Sequence, residues 1–584
     1  MDSTLRSRAA LALLALGTAS GAFAANHDLA VPPVRPGPFA VACSNVELDM
    51  AKLNAIGGQP SDYWEGAEVA GAHRYVTEVL AHPDTAVIYH AQVPFKFAMY
   101  PTVFGRSVEF AAIVCHPTPR ANADPDYVIP VQGGTVPHMQ PAGAAPKLLS
   151  AGELAQTVGI PVAGDADAPA KLPLILFSHG LGGSPLGPGY IDVLKALAAQ
   201  GYVVGAVFHA DNRYSKVRIE NLSDLAFALA FFPSVVEMQA LRPLALAAMD
   251  DALLGNRGGF APAIDTTRIG GFGASLGGEA MIHLLGGKIT ASLSKSCDDP
   301  VYDARVRAAV GYVPYAGQSF LPAFCDGQMG AQYVDRPFLG ISGTADTTAP
   351  LTMAKQAINR MGSSRYLVEL AGGKHELAPE NVPDVLSWTV TFLDAYLDVP
   401  WDSAMARFIR MQSVAGYGSD VLTVDAHVPA AAGAGEVRAL EFYDAAHDRY
   451  VLAAGEGDIA AKTARTDLVA LDLGFKGFAS GAVPKCRYAN GDSGDTALGV
   501  GDFECGLLSR ARGWTLMDRP FALAAVDAGG QWPAGLLAVA RAWAPTAGRM
   551  GGVPRSRLTT SASELKALVD RGWHAAGTVG CAPP

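Results

Sequence analysis

Three residue types that together perform nucleophilic acyl transfer, a serine, a carboxylate and a histidine, each follow a short apolar run in this chain. The serine lies in Gly273-Ala274-Ser275-Leu276-Gly277, a G-x-S-x-G elbow. Arg268 to Phe272 before it reads as a strand and Glu279 to Leu285 after it as a helix, the setting in which this motif lifts a hydroxyl out of a sheet edge. Small neighbours are needed because the backbone of such a turn is crowded. The following helix aims its first N–H groups at the place where negative charge develops. A glycine-rich turn with a buried serine is the bland alternative, and the downstream residues weigh against it.

After Arg336-Pro337, the apolar strand Phe338 to Ser342 ends in Gly343-Thr344-Ala345-Asp346, followed by a helical run from Thr352 to Met361. The carboxyl end of a parallel strand is where functional groups gather in open α/β sheets. Asp346 alone would serve equally as a turn cap. The next strand, Tyr366 to Leu370, leads into Ala371-Gly372-Gly373-Lys374-His375-Glu376 and then an amphipathic helix, Asp384 to Leu397. A lone loop histidine is more often a surface residue. The conjunction carries the reading, because Ser, Asp and His follow in the order this elbow expects. Ser275 is then the nucleophile, His375 the general base and Asp346 its orienting acid. Asp303, Asp326 and Asp335 are weaker acids because none ends a clear apolar strand. His209 and His283 are weaker bases, one preceding the serine and the other lying on the helix after it.

Upstream, Leu172 to Phe177 reads as a buried strand, and Ser178-His179-Gly180-Leu181-Gly182-Gly183 turns sharply out of it. An oxyanion hole of this type takes one backbone N–H from the residue after the nucleophile and one from a loop after an earlier strand. The expected donors are Leu276 and Leu181. A phosphate-binding loop is the competitor, but G-L-G-G lacks the Lys-Ser/Thr of a P-loop and the spacing of a dinucleotide fingerprint.

The stretch Lys171 to Tyr214, with the elbow, resembles the platelet-activating-factor acetylhydrolase and dienelactone hydrolase branch of the α/β-hydrolases, over roughly residues 80 to 400. The resemblance implies an α/β-hydrolase fold, a mostly parallel central sheet flanked by helices. It also implies a serine hydrolase that cleaves lipid-like or short-chain carboxylic esters through an acyl-enzyme, with no cofactor and no metal. No zincin histidine pair or acidic Ca²⁺ loop is present to suggest one. Ala274 departs from the histidine that relatives often carry before the nucleophile. Dienelactone enzymes use a cysteine, so Ser275 favours the esterase side. Two alternatives stay open: a surface or adhesion protein acting through its C-terminal part, and, among enzymes, a serine peptidase or polyester depolymerase.

Met1 to Ala24 has Arg6 and Arg8, an apolar run from Ala9 to Leu16, and Ala22-Phe23-Ala24 as a cleavage site, the pattern of a secretory signal peptide. That run is too short to span a bilayer, so no transmembrane segment is expected. Export to a periplasm or beyond the cell follows. A net charge of −11 argues against nucleic acid. Seven cysteines in an exported chain suggest disulfides. Proximity offers Cys43 with Cys115, Cys297 with Cys325 and Cys486 with Cys505, leaving Cys581 over; spacing alone does not fix connectivity.

The expected organisation is a signal peptide at 1–24, an N-terminal extension at 25–165 adding strands to the hydrolase, a catalytic core at 166–410, a linker at 411–435 and a C-terminal repeat module at 436–584. Residues 221–254 include the apolar patch Leu225 to Pro233. It reads either as a lid over an acyl pocket or as a packed helix broken at Pro233 before a second helix, Val236 to Leu253. The tail looks like aromatic-rich repeats of unassigned function found on secreted bacterial proteins. Glu441-Phe442-Tyr443-Asp444, Cys486-Arg487-Tyr488-Ala489 and Arg541-Ala542-Trp543-Ala544 open three β-rich units. Gly474-Phe475, Gly513-Trp514 and Gly572-Trp573 close them. Their aromatic residues either fill the module's own core or bind a carbohydrate or polymer surface. The expected partner of the core is a small-molecule or lipid ester.

Overall fold

The computed structural model describes residues 34–214, 232–399, 420–424, 432–525, 532–544 and 556–584, less short breaks at 56–58, 67, 70–71, 131–132, 163, 188, 364, 380, 398, 445–448, 464, 466–467, 492–495 and 571–572. The signal-peptide segment, most of the apolar patch at 225–233 and part of the linker lie outside the described residues.

A ten-stranded mixed sheet organises residues 40–424. Its strands are β1 (Ala40–Cys43), β2 (Val87–Gln92), β3 (Ser107–Thr118), β4 (Leu172–Ser178), β5 (Val203–Phe208), β6 (Ile264–Ala274), β7 (Val306–Tyr312), β8 (Phe338–Gly343), β9 (Arg365–Leu370) and β10 (Asp420–Val424). In space the order runs β3, β5, β4, β6, β7, β8, β9, β10, with β1 and β2 both on the outer side of β3. From β5 to β9 the six strands are parallel. Strands β3 and β10 flank them antiparallel.

Why these segments become central strands is visible in their burial. All residues of β4, β5 and β8 are buried, and their sequences LPLILFS, VVGAVF and FLGISG are continuous apolar runs rather than alternations. A parallel strand covered on both faces must read this way. Two apolar layers duly lie against the sheet, one around Trp388, Phe177 and Leu194 and the other around Met249, Phe260 and Leu285. The flanking helices are α1 (Tyr190–Ala199), α2 (Phe232–Leu254), α3 (Leu276–Leu284), α4 (Leu351–Arg360) and α5 (Val382–Leu397).

The chain leaves β4 in one direction to form β5, then crosses back to place β6 on the other side of β4. That reversal opens a crevice at the carboxyl ends of β4 and β6, the usual ligand position in such sheets. Residues before 165 supply β1 to β3. The Cys43–Cys115 disulfide joins directly opposed residues of the β1–β3 ladder.

One expectation differs from the structure. Residues 420–424, placed in a linker by the sequence reading, form the antiparallel edge strand β10; the run D-V-L-T-V is rich in β-branched residues and continues the sheet beside β9. The second helix expected after Pro233, Val236 to Leu253, lies within α2, and the residues just before Phe232 lie outside the described ones. Pro233 is the second residue of α2 as described.

The C-terminal region is separate and β-rich. Its seven-stranded sheet and three-stranded sheet are antiparallel throughout. Cys297–Cys325 and Cys486–Cys505 are also bonded, and Cys581 is free and buried. Among the described residues, no helix is long and apolar enough to cross a membrane.

Candidate active site

Ser275 stands between β6 and α3 with φ 54° and ψ −118°, a backbone conformation that only a tight elbow imposes. The two glycines of the motif are sterically required. A Cβ on Gly273 would lie 2.1 Å from the Gly277 carbonyl oxygen, and one on Gly277 would lie 2.0 Å from that of Ser178. The elbow is pinned by Ser275 N–H donating to Tyr312 O and by Tyr315 and Glu279 N–H donating to Ser275 O.

His375 Nε2 is 3.0 Å from Ser275 Oγ, and His375 Nδ1 is 2.9 Å from Asp346 Oδ2. The other carboxylate oxygen of Asp346 accepts two backbone N–H bonds, from Thr348 and Ala349, both at 2.8 Å. The acid side chain is fully buried and the histidine about one-fifth exposed, so the series runs from the interior towards the crevice. Asp346 and His375 come from loops after adjacent strands, β8 and β9, and these loops touch backbone to backbone. Ala345 N–H donates to Gly373 O, and a Cβ on Gly343 would meet that same oxygen at 2.2 Å.

The loop after β4 lies against the serine: a Cβ on Gly180 would be 3.5 Å from Ser275 Cβ. Gly180 N–H donates to Tyr190 Oη, Gly182 N–H to Asp211 Oδ2 and Gly183 N–H to Gly180 O. Leu181 N–H has no partner among the described residues, and neither has Leu276 N–H in the first turn of α3. These are the two amides expected from the sequence as oxyanion donors.

The other candidates are engaged elsewhere. His209 is buried and its Nε2 meets Ser178 Oγ at 2.8 Å. His283 bonds Gly287 O and Glu279 within the interior. Asp303 holds Arg305, Asp326 pairs with Lys295, and Asp335 meets Arg336 and Tyr302. No group of three or more metal-ligating side chains is assembled among the described residues.

Sequence reading missed the buried pair Asp211 and Arg242. Arg242 sits mid-way along the apolar helix α2 and is 1% exposed, with its guanidinium on Asp211 at 2.6 Å. The available signal was an arginine inside an otherwise apolar helical run, L-R-P-L-A-L-A-A, where a charge is tolerated only when paired. Beside this pair, burial and then Arg242 push the His179 pKa down to about 4, and the same causes hold His209 well below its ordinary value. Both imidazoles are neutral at physiological pH.

Residues 152–220 match the family model of platelet-activating factor acetylhydrolase, isoform II. The matched span holds β4, the loop 178–183, α1, β5 and Asp211, and ends before Ser275. That family implies an α/β-hydrolase fold, and the central sheet with helices on both faces accords with it. No curated protein matches the chain.

Proposed function

We propose that this chain is an exported serine hydrolase of carboxylic esters, with Ser275, His375 and Asp346 as its catalytic triad and the Leu181 and Leu276 amides as its oxyanion hole. The observation that carries the reading is the unbroken hydrogen-bonded series from Asp346 through His375 to Ser275 at the sheet's switch point. The family match adds support for ester hydrolysis, and the three disulfides support export.

In the reaction, Ser275 Oγ forms a bond to the ester carbonyl carbon while His375 Nε2 takes its proton. Asp346 fixes the tautomer with the proton on Nδ1 and stabilises the imidazolium. The two amides hold the oxyanion, a contribution of about 3 kcal/mol per donor. The carbon–oxygen bond to the alcohol then breaks as His375 returns the proton to it. Water, deprotonated by the same histidine, releases the acid.

We read the C-terminal region as a threefold repeat. Strand, strand, helix, strand recurs at 436–478, 483–518 and 537–582, and the first strand of each unit pairs with both others. Neighbouring units are tied by like contacts: Arg487 of the second to Asp458 on the first unit's helix, and Arg541 of the third to Glu504 on the second's. The register places Glu441 where those arginines stand, and there Arg557 of the third unit bridges Glu441 and Glu564. Glu441 thus reaches the third unit's helix through Arg557 of that unit's second strand, which supports reading the region as three like units.

Hydrolysis of p-nitrophenyl esters from acetate to palmitate, by the mature protein and by Ser275→Ala, tests the enzymatic reading. Activity abolished in the variant supports it, and the chain-length optimum reports the acyl pocket. Absence of turnover and of fluorophosphonate labelling in the unaltered protein would refute it.

A further inference from the structure

Around the loop 178–183, the peptide groups flanking Leu181 are tied down through Gly180 O and Gly182 N–H, whereas the Leu181 N–H has no partner among the described residues. The ties converge on one guanidinium. Arg242 donates from Nε to Asp211 Oδ1 at 3.0 Å and from Nη2 to Asp211 Oδ2 at 2.6 Å. Nη1 donates to Ser178 Oγ at 3.2 Å and to His179 O at 2.5 Å, and Nη2 also reaches Gly180 O at 3.0 Å. Those five bonds use all five donors of an arginine. Asp211 Oδ2, held by Arg242, in turn accepts Gly182 N–H at 3.0 Å.

The Gly180 carbonyl is held from the other side as well. His209 N–H donates to His179 Nε2, so His179 carries its proton on Nδ1 and donates it to Gly180 O at 2.7 Å. Gly180 O therefore has both lone pairs occupied, and Tyr190 Oη takes the Gly180 N–H. The peptide units on either side of Leu181 cannot rotate without breaking bonds in a dry site, where an unmade bond to a charged group is costly.

Resting on the reading of Ser275 and Leu181 given above, we infer that Arg242, Asp211 and Tyr190 are positioning residues that hold the Leu181 amide in place for the oxyanion. None touches the substrate. They act by fixing the two neighbouring peptides, so that the donor is aligned before charge develops and no reorganisation is needed in the transition state. A lysine cannot replace Arg242, because a single ammonium has three donors and no planar fork to span Asp211 and two successive carbonyls.

The test compares Arg242→Lys and Tyr190→Phe with the unaltered protein, using p-nitrophenyl acetate and its thiono analogue, whose C=S sulfur accepts hydrogen bonds weakly. Active sites are counted by fluorophosphonate titration, so that misfolded molecules drop out. For Arg242→Lys, kcat per titrated site is expected to fall about 100-fold, with KM within about threefold and an unchanged pH profile, since the triad is intact. The oxo-to-thiono rate ratio should shrink by about tenfold, the signature of a lost oxyanion bond rather than of general loosening. Tyr190→Phe removes one hydroxyl and should show the same two changes at about tenfold or less in kcat; it carries the test if Arg242→Lys does not fold. An active unaltered enzyme whose variants keep both kcat per site and the oxo-to-thiono ratio would overturn the inference alone. An unaltered protein that neither labels nor turns over would overturn the underlying reading, and the inference with it.

Discussion

Replacing Asp346 by asparagine changes one atom, and the surrounding bonds dictate which way the new amide faces. Oδ1 accepts N–H bonds from both Thr348 and Ala349, and Oδ2 faces His375 Nδ1. If the asparagine oxygen takes the Oδ1 position, both backbone bonds survive. A flip would lose two bonds of about 1 kcal/mol each and leave two backbone donors facing an NH₂, costing about 1–3 kcal/mol more for each. The unflipped orientation therefore prevails and sets an NH₂ donor against Nδ1. His375 must then accept at Nδ1 and carry its proton on Nε2, pointing at Ser275 Oγ, where it can no longer act as a base. The same exchange in serine proteases lowers kcat about 10⁴-fold. The expectation for Asp346→Asn is a loss of that order in kcat for p-nitrophenyl butyrate at neutral pH, with a melting temperature close to the parent's because the backbone bonds persist. Retention of more than about a tenth of the parent kcat would refute the tautomer argument.

Gly343→Ala should be nearly as damaging without touching a reactive group. Its Cβ would sit 2.2 Å from Gly373 O, so the loops carrying Asp346 and His375 must separate, with a loss in kcat of about 100-fold and about 1–3 kcal/mol in unfolding free energy. Parent-like kcat would show that the two loops need not touch. Stability should decline in mild acid. Burial lowers the His116 and His179 pKa values to about 4 and holds that of His209 well below its ordinary value, so as pH falls below 6.5 the unfolded chain takes up protons that the folded one does not. His116 and His179 each contribute stability that is fully present above 6.5 and falls by about 2 kcal/mol by pH 4.5, and His209 adds in the same direction; urea unfolding that is flat across this window would contradict it. In the C-terminal region, Lys485 is fully buried and its Nζ has no hydrogen-bond partner among the described residues, and burial, aided by Arg541, lowers its pKa to about 7. Between pH 7 and 10.5 the unfolded state holds the extra proton, so stability should rise with pH there. Lys485→Met should stabilise by about 1–3 kcal/mol at pH 7, with the gain shrinking towards pH 10; a destabilised variant would mean the ammonium has a role that its burial hides.

The short apolar runs and the residues at their ends were legible because both signals are local. A strand buried on both faces must be apolar throughout, so β4, β5 and β8 announce themselves, and the elbow must have glycine at 273 and 277 because backbone atoms occupy the space a side chain would fill. The three disulfides fall on the pairs that proximity offered, joining residues 72, 28 and 19 positions apart. Strand β10 was not legible as part of the sheet. Its pairing with β9 crosses some fifty residues, and nothing in D-V-L-T-V says which edge it will join.

The sequence by itself determined the chemical types and the order of the candidate groups, since an elbow, a strand-end aspartate and a loop histidine are each written within a few adjacent residues. Only the tertiary structure decided that 100 residues of chain between Ser275 and His375 close to a 3.0 Å contact. It alone also brought Arg242 of α2 onto carbonyls 62 and 63 positions earlier. A hydrogen bond needs partners within about 3 Å, and a buried charge is tolerated only where those partners converge. Sheet order and helix packing set such convergence, and no stretch of sequence contains it.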